Sequence, residues 1–155
     1  MTKKKKTAVP EVEVEVETTT ESAPVAPPPD YEAIARRGAE AAEDKKATRV
    51  AIMALGEASP VCDYFVLASG KTRIQTRAIA NAIDEALEAV PVKRTRQGYQ
   101  SGNWVLLDYG GVVFHVFLER EREYYDLEGL YAKSPIIYTS NGESGESADL
   151  AKKRI

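Results

Sequence analysis

The sequence contains very little of the chemistry from which disulfides and metal clusters are made. Among 155 residues there is one cysteine, Cys62, and one histidine, His115. A single thiol excludes an internal disulfide and any zinc site built on several cysteines. One unpaired thiol is typical of proteins that work in a reducing compartment.

Long apolar runs and an excess of one charge are also missing. No apolar stretch approaches the roughly 20 residues that span a bilayer, and the N-terminus has no apolar segment typical of a signal peptide. The net charge is −3, so the chain as a whole is not a polycation that holds nucleic acid by charge. Neither a P-loop nor a Gly-x-Gly-x-x-Gly motif occurs. We therefore expect a soluble cytoplasmic protein without membrane contact, and no cofactor or metal motif is present.

The composition divides the chain into a folded segment and two polar tails. Residues 1–29 combine a lysine cluster, a Glu/Val alternation and a proline-rich end, which predicts a disordered N-terminal tail. Residues 139–155 are mostly serine, glycine and charged residues, which predicts a second disordered tail. The segment 30–138 is long enough for one domain with a hydrophobic core.

The spacing of apolar residues within 30–138 predicts an α/β domain. Asp30 is a candidate N-cap for a helix that runs from Tyr31 to about Lys46. Apolar residues three and four positions apart predict a second helix from near Thr72 to before Pro91. A third helix is expected over Glu119–Tyr131. The strands are predicted at 48–55, 61–68 and 92–97 and in the two arms of a hairpin within 104–117. These elements predict a mixed five-stranded sheet flanked by helices.

The most informative stretch is Trp104–Phe117, in which two apolar segments flank the pair Gly110-Gly111. Paired glycines favour a tight hairpin turn because they adopt positive φ angles without strain. The resulting register places Leu107 opposite Phe114 and predicts one apolar, buried sheet face. The other face is mixed and carries Trp104, Leu106, Asp108, Val113, His115 and Phe117. We expect function on this mixed face or at its rim.

Two arrangements raise the question of enzyme chemistry. Asp108 and His115 lie diagonally on neighbouring strands, close enough to contact each other. Such an Asp–His pair is part of a catalytic triad. Ser69 lacks the Gly-x-Ser-x-Gly context of a nucleophile, so a structural Asp–His pair is the simpler interpretation. The strand–Ser69-Gly70–helix order resembles nucleotidyltransferases and offers an anion site at a helix N-terminus. However, Asp63 and Asp108 are single, whereas two-metal phosphoryl transfer needs paired carboxylates. Nucleotide binding without catalysis therefore stays open.

Aromatic and basic residues favour a binding module over an enzyme. Trp104 has the properties of an interface anchor, because its indole is a large rigid apolar body with one polar group. Basic residues can also form an RNA-facing rim, although a solvated helix face is the simpler interpretation. The candidates for such a rim are Lys71, Arg73, Arg77, Lys93, Arg94 and Arg96.

Three blocks of the sequence closely resemble the ribosomal silencing factors, the RsfS or YbeB family, whose organellar relatives carry the iojap name. The blocks are CDYFVLASGKTRIQTRAIANAI at 62–83, GYQSGNWVLLDYGGVVFHVF at 98–117 and REYYDLEGLY at 122–131. They occur in the order and spacing usual in the family. The resemblance spans roughly Tyr31 to Pro135.

The resemblance implies a ribosome factor that is not an enzyme. Such proteins bind the fourteenth ribosomal protein of the large subunit, block joining of the small subunit and lower translation when nutrients are scarce. A role in large-subunit assembly through the same surface is an alternative. The family fold is an α/β domain akin to nucleotidyltransferases without their catalytic carboxylates. Isolated members can be homodimers, and a contact with nearby ribosomal RNA stays open.

The contact surface of the family carries over by motif to positions in the hairpin and the third helix. These positions are Trp104, Leu106, Asp108 and Tyr109, with His115 and Tyr125 as secondary candidates. Gly111 departs from the family pattern, which usually has an aspartate at this turn. Tyr131 replaces a tryptophan that is usual near the end of the third helix.

Overall fold

The computed structural model describes residues 29–140 and 145–146. Its helices are α1 (Tyr31–Asp44), α2 (Arg73–Ala86), α3 (Glu119–Tyr125) and α4 (Leu127–Leu130). Its strands are β1 (Thr48–Ala54), β2 (Tyr64–Gly70), β3 (Thr95–Gln97), β4 (Trp104–Asp108), β5 (Val112–Leu118), β6 (Pro135–Thr139) and β7 (Gly145–Glu146). Within these residues the strands form one seven-stranded sheet in the order β3-β4-β5-β2-β1-β6-β7. The pairing of β2 with β5 is parallel and the other pairings are antiparallel, so the sheet is mixed.

The hairpin of β4 and β5 has the predicted register. Leu107 lies opposite Phe114, and the turn is closed by a 2.8 Å hydrogen bond from the Tyr109 amide to the Val112 carbonyl. Gly110 has a φ angle of +86°, which glycine adopts without strain. Gly111 is packed against Tyr31, because a Cβ at Gly111 would lie 2.3 Å from the Cδ2 atom of that ring. Any larger residue at position 111 would therefore have to displace Tyr31.

The sheet has one face covered by long helices and one face covered only in part. Because side chains alternate along a strand, residues such as Leu107 and Phe114 point to α1 and α2 and are fully buried there. The opposite face packs against the short helices α3 and α4 through Leu127. Its partly buried members are Phe65, Trp104, Leu106 and Tyr131. We call this second surface the open face.

Side-chain caps begin both long helices, and both helices start where the sequence predicts. The Asp30 carboxylate accepts a 3.1 Å hydrogen bond from the Ala33 amide, and the Thr72 hydroxyl accepts a 3.0 Å bond from the Gln75 amide. These caps satisfy amide groups that have no partner within the helix. The predicted starts of α1 and α2 are therefore confirmed.

The third predicted helix is wrong as a single element, because Asp126 divides it into α3 and α4. Asp126 has a φ angle of +46° in the left-handed region, and its carboxylate accepts a 3.1 Å bond from the Gly129 amide. This cap starts a new helix. Two large apolar residues of this segment are exposed, Tyr124 at 82% and Leu130 at 71%.

The predicted strand count of five is also wrong. The five predicted strands are present, and β6 and β7 add to them at the β1 edge of the sheet. The sequence does not predict β6, because PIIYT is short and flanked by polar residues. This segment is a strand because it pairs with β1. The predicted break at Ser69-Gly70 is likewise wrong, since β2 continues through both residues.

The predicted tails lie largely outside the described residues. Of the segment 139–155, Thr139 ends β6 and Gly145–Glu146 forms β7, which pairs with β6. Residues 1–28, 141–144 and 147–155 are not described. The division into tails and a domain at 30–138 stays a prediction.

Candidate partner-binding site

The open face is centred on β4, where Trp104, Leu106 and Asp108 are each half-buried. They share this face because alternate residues of a strand point to the same side. The neighbouring residues of β5 beneath them are buried, and these are Val113, His115 and Phe117. The mixed face that the sequence predicts is therefore present, with β4 at its surface and β5 at its base.

Trp104 is held in one orientation by contacts on several sides. Its indole Nε1–H donates a 3.1 Å hydrogen bond to Nδ1 of His115. The centroid of its ring lies 5.4 Å from that of Phe117 and 4.7 Å from that of Tyr125. A half-exposed indole with its polar group satisfied internally presents mostly apolar surface to solvent.

His115 is buried and supports Trp104 from below. Its side chain is 4% exposed, and burial lowers the pKa of its imidazole from 6.5 to about 3. Since Nδ1 accepts the indole hydrogen, the proton of the neutral ring is assigned to Nε2, which has no hydrogen-bond partner. The Phe65 ring stands edge-on to it at 4.5 Å. His115 therefore acts through Trp104 and does not reach the surface.

The predicted pair of Asp108 and His115 is wrong. The Asp108 carboxylate accepts a 2.8 Å hydrogen bond from the Gly110 amide and so closes the turn. In the observed register Leu106 lies opposite His115, and Asp108 lies opposite Val113. His115 accepts a hydrogen bond from the indole of Trp104 at Nδ1 instead.

Tyr109, another predicted contact residue, lies on the helix-covered face. It follows Asp108 by one residue, so the alternation of the chain sends its ring to the opposite side of the hairpin. The side chain is 3% exposed, and its hydroxyl donates a 2.6 Å hydrogen bond to Asp84 of α2. Burial and this bond raise the pKa of the Tyr109 hydroxyl. We therefore leave Tyr109 out of the contact surface.

Helix α3 completes the aromatic part of the open face. Tyr125 is 49% exposed and covers one side of Trp104, and the exposed ring of Tyr124 stands next to it at 5.0 Å. Phe65 and Tyr131 continue the face on the other side, with their rings edge-on at 5.2 Å. The sequence gives no signal that Phe65 belongs to this face, because only the parallel pairing of β2 with β5 places it beside His115.

A buried arginine fastens α3 and α4 to the sheet. Arg122 is 1% exposed and donates hydrogen bonds to the Ser69 hydroxyl at 2.9 Å, to Glu128 at 2.8 Å and to the Arg49 carbonyl. Arg49 lies at an irregularity of β1 and has a positive φ of 52°. Because Arg122 and Glu128 belong to α3 and α4, this cluster holds both helices and so the position of Tyr125.

The predicted anion site at Ser69-Gly70 is only partly present. Ser69 is fully buried and bound by Arg122, so its hydroxyl does not face a ligand. A cavity of about 400 Å³ lies beside it, at the ends of β2 and β5. The residues that line this cavity are Gly70, Lys71, Thr72, Arg73, Leu118, Glu119 and Arg120.

The described part of the chain contains neither a group of metal ligands nor a membrane-spanning helix. No group of three or more His, Cys, Asp or Glu residues there is placed to hold a metal ion. None of the helices there combines the length and the apolar character that crossing a membrane requires. Cys62 is buried among apolar neighbours, and burial raises the pKa of its thiol.

We expect the burial of His115 to make the fold sensitive to acid. Between about pH 6.5 and pH 3 the unfolded chain takes up a proton that the folded imidazole does not. The contribution of the neutral His115 to the free energy of unfolding is therefore fully present above pH 6.5. Below that value the free energy of unfolding falls by about 1.4 kcal/mol per pH unit. Urea unfolding of the wild type and of His115→Gln at several pH values measures this dependence. The carboxylates contribute equally to the pH dependence of both proteins, so the wild type should lose more stability in acid than His115→Gln does. Equal losses of stability per pH unit would contradict the prediction.

An α/β domain with a half-open aromatic sheet face has the construction of a protein-binding module. Comparison with known protein families identifies which kind of binding protein this chain is. Residues 28–154 match the family described as ribosomal silencing factor during starvation, RsfS. The chain belongs to this family of ribosome-associated translation regulators.

Individual relatives agree with the family match. The ribosomal silencing factor RsfS of Bacillus subtilis is 38% identical over 109 residues, which cover 69% of this chain and 92% of the relative. The RsfS of Halalkalibacterium halodurans is 36% identical over 99 residues, which cover 63% and 84%. The chloroplastic Iojap protein of Zea mays is 28% identical over 99 residues, which cover 64% and 43%.

Solved structures show the same fold. The crystal structure of a protein from Chromobacterium violaceum superposes with a TM-score of 0.64 at 32% identity and covers 66% of this chain and 87% of its own. A crystal structure from Bacillus halodurans gives a TM-score of 0.58 at 33% identity, with 64% and 93% covered. The family match and the named relatives confirm the resemblance to ribosomal silencing factors.

Proposed function

We propose that this protein binds the large ribosomal subunit through the fourteenth ribosomal protein and prevents the small subunit from joining. Translation would then fall, above all under nutrient limitation in the cytoplasm. The observation that carries the proposal is the placement of Trp104. Its ring is oriented by His115 and Tyr125 and remains half-exposed beside Leu106 and Asp108.

The proposed mechanism is steric exclusion. A domain that sits on the intersubunit surface occupies the volume that the small subunit needs, so binding alone suppresses joining. The required property is affinity, which a few buried aromatic anchors supply in most interfaces. Preorganisation of the indole reduces the entropy lost on binding, because the ring is already fixed in the free protein.

The contact residues in this proposal are Trp104, Leu106, Asp108 and Tyr125. Asp108 closes the turn and also puts a carboxylate at the rim of the face, where polar groups usually surround an apolar centre. His115 positions Trp104 from within. In the free protein the same aromatic surface can pair with a second copy, which accounts for the expected homodimer.

The experiment that tests the function is sedimentation of the protein with separated ribosomal subunits. We expect the protein to travel with the large subunit and joined ribosomes to decline as protein is added. Binding to the isolated fourteenth ribosomal protein should be measured in parallel. Protein that stays at the top of the gradient, or that leaves subunit joining unchanged, contradicts the proposal.

A nucleotide-binding function is the second candidate, supported by the cavity beside Gly70. Its cationic residues Lys71, Arg73 and Arg120 suit a phosphate group, and the strand–turn–helix order resembles nucleotidyltransferases. The catalytic carboxylate pair of those enzymes has no counterpart around Asp108. Calorimetry with ATP and magnesium separates the candidates, because the silencing function expects no saturable heat.

A role in large-subunit maturation would use the same open face. The two roles differ in their consequence for the cell. A maturation factor leaves incomplete large subunits when it is removed, whereas a silencing factor leaves complete ones that join too readily. Gradient profiles of cells with and without the protein distinguish these outcomes.

A further inference from the structure

A row of arginines borders the sheet at β3 and the first half of α2. We call it the arginine edge, and it consists of Arg73, Arg77, Arg94 and Arg96. Lys71 and Lys93 lie next to it in the sequence and are exposed. Since the whole chain carries a net charge of −3, these cations are concentrated locally.

Two of the arginines are tied to the loop that precedes β4. The Nε–H of Arg73 donates a 2.7 Å hydrogen bond to the Asn103 side chain. Arg77, one helical turn later, donates a 3.1 Å bond to the Gln100 carbonyl. Both guanidinium groups are therefore held along the same loop.

The other two arginines share one carboxylate. Arg94 and Arg96 approach Asp84 at 3.2 and 3.3 Å, and the Asp84 side chain is only 12% exposed. The Arg96 guanidinium also lies 4.1 Å above the centre of the Tyr99 ring. One carboxylate against two guanidinium groups leaves a net positive charge, and the contacts fix both side chains before any ligand arrives.

The arginine edge adjoins the proposed docking surface. Strand β3 pairs with β4, so that Thr95 and Gln97 lie opposite Asp108 and Leu106 of the open face. Arg96 lies opposite Leu107 and therefore points to the helix-covered side of this edge. Asn103, which Arg73 binds, directly precedes Trp104. The arginines therefore lie around the β3 edge of the sheet from the open face, and the loop before Trp104 connects the two surfaces.

We propose that the arginine edge binds the phosphodiester backbone of ribosomal RNA beside the docked ribosomal protein. This inference rests on the proposed function, which brings the chain to a particle rich in RNA. Guanidinium groups match phosphate oxygens in charge and geometry, and such contacts read the backbone without reading the base sequence. Affinity then comes from two sources, the protein contact at Trp104 and the RNA contact at the edge.

The test uses Arg73→Gln/Arg77→Gln in the full chain. Glutamine removes the charge and keeps a hydrogen-bond donor for Gln100 and Asn103. The matched control is Arg36→Gln/Arg37→Gln, which removes the same charge from exposed positions of α1. Arg94 and Arg96 are left unchanged because Asp84 joins them to the buried Tyr109.

The main measurement is affinity for intact large subunits across a salt series. Each phosphate contact contributes about 0.7 to 0.9 to the slope of log K against log salt concentration. The slope is negative, and we expect it to become shallower by about 1.5 in the Arg73/Arg77 variant. The affinity of this variant at low salt should fall by about tenfold. The control should keep the wild-type slope. An unchanged slope in the Arg73/Arg77 variant overturns the inference.

Two further arms separate the inference from the proposed function. Binding to the isolated fourteenth ribosomal protein should be the same for the wild type and the Arg73/Arg77 variant. If the variant instead loses as much affinity for this protein as it loses for the large subunit, the arginine edge contacts protein and the inference is overturned. RNA extracted from large subunits should bind the wild type better than the variant at low salt. The RNA measurement tests the arginine edge independently of the ribosomal protein. If the wild type fails to bind the ribosomal protein, the proposed function is refuted, but the RNA measurement still tests the inference. Equal binding of this RNA also overturns the inference.

Discussion

Trp104→Ala is expected to weaken binding to the large subunit by about 30-fold, a loss of roughly 2 kcal/mol or more. The substitution removes the largest apolar group of the open face and leaves the buried Nδ1 of His115 without its donor. Tyr125 also loses the ring on which it packs. Binding is measured by pulldown or by sedimentation with purified large subunits.

Two variants make this result interpretable. Ile74→Ala removes an apolar side chain that is 75% exposed on α2, and it should bind like the wild type. Trp104→Phe keeps an aromatic ring but loses the Nε1–H donor, so its affinity should fall between those of wild type and Trp104→Ala. Full binding by a folded Trp104→Ala protein would show that the partner docks elsewhere. A cooperative unfolding transition establishes that the variant is folded.

Glu128→Ala is expected to lower the free energy of unfolding by about 3 to 5 kcal/mol. Glu128 and Arg122 form an ion pair at 2.8 Å, and their side chains are 2% and 1% exposed. Removing the carboxylate leaves the guanidinium buried without its counter-charge, which costs far more than losing an exposed pair. Chemical denaturation followed by circular dichroism measures the loss.

The matched control is Glu32→Ala, which breaks the ion pair of Glu32 with Arg36 on the surface of α1. These side chains are 47% and 46% exposed, so the expected cost is at most about 1 kcal/mol. The double variant Arg122→Met/Glu128→Leu should be more stable than Glu128→Ala, because it removes both buried charges together. A Glu128→Ala protein within about 1 kcal/mol of the wild type would contradict the structure of this cluster.

The same cluster connects stability to the binding site. Arg122 and Glu128 hold α3 and α4 against the sheet, and α3 carries Tyr125 onto Trp104. Loosening these helices in Glu128→Ala should therefore expose the indole and shift its fluorescence to longer wavelength. Glu32→Ala should leave the emission unchanged.

Local signals were sufficient wherever a structure depends on neighbours along the chain. The caps at Asp30 and Thr72 satisfy amides three residues away, so they are readable directly from the sequence. The Gly110-Gly111 turn determines the register of β4 and β5, and the alternation then places Trp104, Leu106 and Asp108 on one face.

Other features depend on which distant groups meet, and the sequence offers several equivalent choices for them. Asp108 and Trp104 were both within reach of His115, and packing assigned the imidazole to the indole. Asp126 divides the third helix although the residues around it keep a helical spacing. Phe65 joins the open face only because β2 pairs with β5.

The sequence by itself determined the family, the hairpin and the face on which Trp104 lies, because motif order, turn residues and a two-residue period are local properties. Only the tertiary structure decided that His115 is a buried support, that Tyr109 belongs to the opposite face and that Arg122 fastens α3 and α4. Each of these outcomes depends on long-range packing, in which burial and hydrogen bonding select one partner among several that the chain allows.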